Sequence, residues 1–156
     1  MRKLILGGAL IILSGCETTN TPTVPTKLES SASASVSAAA SVQAQQTTFS
    51  FCPVVTPFSA TVGVVVTAGN VSLVVTSITS QFTDLNHVQL PAVTLPAPIP
   101  IAQFGSNLVA ARSGVTFPVT VNFGCGTTRT GTVVMAVNLT DATGVAFVRN
   151  LSVNVR

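Results

Sequence analysis

Residues 115–123 alternate without interruption: Val115, Phe117, Val119, Val121 and Phe123 are apolar, while Thr116, Pro118, Thr120 and Asn122 between them are not. A repeat of two puts every apolar side chain on one face of an extended strand, a pattern that no helix can use. Val133, Met135, Val137 and Leu139 repeat it against Thr132, Val134, Ala136, Asn138 and Thr140. Ala60, Val62, Val64 and Val66 begin a third row; Val71, Leu73 and Val75 form a fourth; Leu151, Val153 and Val155 form the last. No window carries a convincing amphipathic helix. Residues 48–156 therefore predict a single all-β domain, since about 110 residues suffice for one core and not for two. The strand count is six or seven, with Phe49 to Val55 as a possible edge strand.

Turn residues suggest how the rows connect. Gly69-Asn70 reads as a two-residue turn that would set Val66 opposite Leu73 and Val64 opposite Val75. The segment 124–131 reads as a hairpin loop that would set Phe117 opposite Leu139, Val119 opposite Val137 and Val121 opposite Met135. Asp141-Ala142-Thr143-Gly144 has the acid first and the glycine last, as a type I turn followed by a left-handed residue prefers. The apolar phase slips between Val75 and Ile78, which predicts a bulge near Thr76 or Ser77. Pro118 has no backbone donor and marks its strand as an edge or a bulge.

Six or seven short strands over this length resemble an antiparallel two-sheet sandwich of immunoglobulin or fibronectin type III character. A partly open barrel and a transthyretin-like sandwich fit the same count. The chain has no Trp and no Tyr, so the core Trp and the tyrosine corner of true immunoglobulin domains are absent.

The N-terminus carries a different signal. Arg2 and Lys3 precede the apolar run Leu4 to Leu13, which ends in Leu13-Ser14-Gly15-Cys16. Two positive charges, an apolar run and small residues are the parts of an export segment, too short for the roughly 20 residues that span a bilayer. The last four residues resemble the lipobox of bacterial lipoproteins. That resemblance implies cleavage of residues 1–15, lipid on the sulfur of Cys16, and a protein held on the cell envelope. Glu17 stands where inner-membrane lipoproteins of Gram-negative bacteria carry Asp, so the resemblance favours the outer membrane for such a source.

Residues 16–47, after that cysteine, are rich in Ser, Thr, Ala, Gln and Pro, and composition predicts a disordered tether. The export segment also accounts for the charge. Seven Lys and Arg against four Asp and Glu give +3; without Arg2 and Lys3 the balance is five against four. A nearly neutral chain offers no long-range electrostatic case for nucleic acid or anionic lipid as a partner. With Cys16 assigned to lipid by the resemblance, Cys52 and Cys125 remain as a pair for an oxidising compartment.

Chemistry is sparse. The folded region has no Lys and no Glu; its charges are Asp84, Arg112, Arg129, Asp141, Arg149 and Arg156, with one histidine, His87. Asp84-Leu85-Asn86-His87 is the one local cluster, and Asp and Asn there read more simply as turn residues. No catalytic residue, cofactor or metal ligand set is expected from this inventory. Arg112 and Arg129 flank residues 115–123 and read as solvated charges. The candidate binding loop is the proline-rich run containing Leu95, Pro96, Pro98, Ile99 and Pro100, which prefers extended polyproline geometry. The expected function is that of a non-enzymatic, lipid-anchored envelope protein. Its partners are the membrane, through Cys16, and an envelope protein or glycan. The alternative is a small secreted inhibitor that presents residues 91–101 to an enzyme.

Overall fold

A computed structural model describes residues 32–47, 49–97 and 105–156. Ten strands and no helix occur among them: β1 (Ala34–Ser37), β2 (Ser41–Val42), β3 (Gln45–Gln46), β4 (Phe58–Ala68), β5 (Leu73–Asp84), β6 (Val93–Pro96), β7 (Leu108–Val109), β8 (Gly114–Phe123), β9 (Gly131–Asp141) and β10 (Ala146–Val155). One sheet has β4 at its centre, with β8 on one side and β1 and then β3 on the other; the second runs β2-β10-β9-β5-β6, with β7 also on β5. This is the strand distribution of an immunoglobulin-like sandwich, in which the chain crosses between sheets from β4 to β5 and from β8 to β9.

The inward rows of both sheets meet as one apolar core. Val62, Val64 and Phe117 from the first sheet and Phe82, Met135 and Leu139 from the second are fully buried. On the five long strands the inward positions come from the alternation that the sequence displays, because successive side chains of a strand take opposite faces; Ala44 and Val109 add to the core from outside those rows.

Two of the expected hairpins are instead crossings between sheets. Val64 lies beside Phe117, not Val75, and Met135 lies beside Ser80 and Leu151, not Val121. Residues 69–72 and 124–130 each lift the chain from one sheet to the other. The apolar rows still face each other, but across the core instead of side by side. The third expected turn does form a hairpin: β9 and β10 pair antiparallel from Thr140–Ala146 to Gly131–Val155. The bulge also falls where the phase slip put it, between Val75 and Ser77. Phe51 and Val55 form only an isolated bridge, so Phe49 to Val55 is a small loop and not an edge strand.

The segment assigned to a tether is shorter than its composition suggested. β1 pairs with β4 from Ala34–Ala68 to Ser37–Val65; β2 then joins β10 in parallel, and β3 returns to β4. Arg149 Nε donates to the Ala34 carbonyl at 3.0 Å, and Arg129 Nη2 donates to the Ala44 carbonyl at 3.0 Å. The physical reason lies outside the segment: β4 and β10 each have an open edge on this side, and their unpaired backbone groups order a chain whose own side chains offer little apolar bulk. Residues 34–46 thus belong to the sandwich, and residues 1–31, Cys16 included, lie outside the described residues.

Candidate functional site

On the opposite side of the sandwich, β8 has no strand beyond it among the described residues. Its register shows which groups it presents there. Ala68 N–H donates to the Ser113 carbonyl, so that pair is hydrogen-bonded, and along an antiparallel ladder alternate pairs follow suit. Phe117, Val119 and Val121 are therefore bonded to β4, while Thr116, Pro118, Thr120 and Asn122 turn their backbone groups outward. Pro118 sits where its missing N–H breaks no ladder bond, the edge position that its identity predicted.

Facing this edge, the chain after β5 doubles back. Asp84 ends β5; Leu90 N–H donates to the Phe82 carbonyl, and Gln81 Nε2 donates to the Leu90 carbonyl at 3.1 Å. Leu90 thus lies against Phe82, whereas Val93 lies opposite Ser80. Pro91 and Ala92 occupy the space of one residue, a bulge between the Leu90 bond to Phe82 and the pairing of β6 with β5. A cavity of about 280 Å³ opens beside it, lined by Ser80, Phe82, Leu90, Pro91, Val93, Thr120, Val121 and Asn122. Phe82 stacks on Phe123 with ring centroids 4.2 Å apart, so the aromatic wall is fixed. No lining side chain titrates. The cleft suits an apolar side chain carried on an extended backbone that hydrogen-bonds to β8.

Asp84, two residues beyond Phe82 on β5, is only 4% exposed. Its Oδ1 accepts from the N–H groups of Asn86 and Val88, both at 2.8 Å, and its Oδ2 accepts from Thr128 N–H at 3.0 Å. The Thr128 bond, against the opposing effect of burial, and then the bonds from Val88 and Asn86 hold its carboxyl below the ordinary value of 3.8. This carboxylate is occupied by backbone donors, which makes it a brace for two loops. His87, three residues on, is exposed at φ 62°.

The other sequence-derived candidates separate. Leu95 and Pro96 belong to β6 and lie opposite Ile78 and Ser77, with Leu95 packed against the core. Pro98, Ile99 and Pro100 lie outside the described residues. Arg112 and Arg129 sit at opposite ends of β8, and each binds its own chain: Arg112 Nε donates to Asn70 Oδ1 at 3.2 Å, Arg129 to Ala44. Cys52 and Cys125 are joined, with Cα atoms 5.5 Å apart. The cleft itself escaped sequence reasoning. Pro118 and Pro91 were its available signals, as one marks a free edge and the other a break in pairing.

No protein-family model matches this chain, and no curated protein matches its sequence. Solved structures do. The structural-genomics target SoR45 superposes with a TM-score of 0.51 at 11% identity, covering 79% of this chain and 86% of that one. A Bordetella pertussis protein called ApaA gives 0.51 at 14% identity, over 78% and 91%. The likeness is one of fold. Beyond the sandwich, neither similarity assigns an activity.

Proposed function

We propose that this chain is a non-enzymatic, lipid-anchored protein of the bacterial cell envelope whose sandwich binds another envelope component at the β8 cleft. The observation that carries this reading is the coincidence of a backbone edge that no strand covers among the described residues with a neutral, mostly apolar cavity lined by Thr120 and Asn122. The occupant is an extended segment of an envelope protein that adds a strand to β8, its backbone supplying affinity and one inward apolar side chain supplying selectivity. Attachment rests on Leu13-Ser14-Gly15-Cys16, and outer-membrane placement on Glu17. The pairing of Val93–Pro96 with β5 leaves the inhibitor alternative without a free, stiff loop over those residues.

The test is photo-crosslinking in cells from Asn122, compared with Asn138 on the far sheet. Capture of one protein from Asn122 alone, lost in Thr120→Pro, is expected. Thr120 shares the outward parity of Pro118, so the substitution removes an edge donor and leaves the ladder to β4 intact. Equal capture from both positions would sink the cleft reading. Radiolabelled palmitate should enter the wild-type protein and not Cys16→Ser.

A further inference from the structure

We propose that the end of the sandwich bearing Phe49, Phe51, Val54, Leu85 and Val88 is a surface that contacts an anionic lipid bilayer. Phe49, Phe51, Val54 and Leu85 are 72%, 69%, 86% and 70% exposed. Strand polarity puts their loops together. β4 starts beside residues 49–57, β5 ends at Asp84, and the crossing 124–130 joins Phe123 to Gly131; the register pairs Phe58 with Phe123 and Asp84 with Gly131.

The three loops are tied to one another. Phe51 and Val55 exchange backbone bonds of 3.0 and 2.9 Å, Cys52 is bonded to Cys125, and Thr128 donates to Asp84. Large apolar side chains are thus held outward by covalent and hydrogen-bonded loops instead of folding onto the core. Exposed apolar groups gathered in this way mark an interaction surface.

Charge selects the partner. Asp84 is the acid at this end, and it is turned inward onto three N–H groups. Arg129 and Arg156 are exposed here. Phenylalanine and leucine with the Arg129 guanidinium beside them, and no outward acidic side chain among the described residues, is the composition that inserts into the interface of a negatively charged membrane.

Chain length permits it together with the proposed anchor, on which this one step rests. The chain joins the fold at Ala34, opposite Ala68, at the far end of β4. The 11 residues of β4 measure roughly 36 Å. The 18 residues from Cys16 to Ala34 reach as far as about 60 Å. Lipid and loop end can therefore meet the same bilayer.

Vesicle co-sedimentation tests the surface apart from the anchor. A chain beginning at Glu17 keeps every described residue, both sheets and the disulfide, and has neither export segment nor lipid. It should bind vesicles of phosphatidylethanolamine with phosphatidylglycerol and bind phosphatidylcholine vesicles much more weakly. Phe49→Ser with Phe51→Ser should weaken binding on the order of tenfold or more while melting as the parent does. Should that pair disturb folding, Val54→Asp, at the most exposed of these positions, replaces it. Absence of vesicle binding, binding unchanged by these substitutions, or a protein crosslinked from Phe51 without vesicle binding overturns the proposal. Failure of palmitate labelling overturns the anchor alone.

Discussion

The Asp84 carboxylate accepts the backbone N–H of Thr128 at 3.0 Å, across 44 positions of sequence. One side chain thereby holds the turn that leaves β5 and the crossing that brings the chain to β9. Asp141 repeats half of the device at the other end of the second sheet: its Oδ1 accepts from Thr143 N–H at 2.8 Å and Val145 N–H at 3.0 Å. In each turn the fourth residue has positive φ, 62° at His87 and 87° at Gly144.

Asp84 makes stability depend on acid. Its folded pKa lies below the ordinary 3.8, so the unfolded chain takes up the proton first as pH falls. The contribution is complete above that value and is lost as pH descends from it toward the folded pKa. Melting temperature recorded below pH 5 should fall in the wild type, and Asp84→Asn should flatten part of that fall.

His87 occupies a conformation that suits glycine. His87→Gly should raise stability by about 1 kcal/mol, and Gly144→Ala should lower it by a similar amount. Chemical denaturation of the two variants should shift the midpoint in opposite directions.

Gly131 sits where a side chain has no room. A Cβ there meets the Thr83 carbonyl oxygen and comes within 2.8 Å of the Asp84 Cα, both backbone atoms of the neighbouring strand. Gly131→Ala should cost about 2 kcal/mol by forcing β5 and β9 apart. Gly126→Ala, with nothing within 4 Å but φ 88°, separates backbone strain from crowding when the two are unfolded side by side.

The disulfide closes a span of 73 residues. Cys52→Ser with Cys125→Ser should lower unfolding free energy by about 4 kcal/mol in the chain-entropy model. Urea unfolding with and without reductant reads this directly, because only the wild type should respond.

Removal of residues 17–47 should destabilise the domain by about 3 kcal/mol, since it uncovers the edges of β4 and β10 and part of the core beneath Val36, Val42 and Ala44. Equal melting of the parent and the truncated chain would contradict the pairing of β1 and β2.

Much of the cleft's frame is legible in particular residues. Pro118 announces the edge and Asp84 the turn, and farther along β5 the phase slip after Val75 announces a bulge outside the cleft, each because a local chemical property admits few backbone arrangements. The cavity is not legible. It exists only because Leu90 returns to Phe82 while Thr120 and Asn122 arrive from the other sheet, and no local pattern records that meeting.

By itself the sequence determines which side chains turn inward, since alternation in a strand is a property of that strand alone. It also determines the hairpin at Asp141–Gly144, whereas the Cys52–Cys125 bond is made by the approach of two loops. Strand neighbours are decided by the tertiary structure. Phe117 facing inward is equally satisfied beside Leu139 in one sheet or across the core from it, and only the packing of both sheets selects Val64 as its neighbour. The same holds for residues 34–46. Their small side chains carry almost no burial signal, and they become strands because β4 and β10 leave backbone groups that need partners.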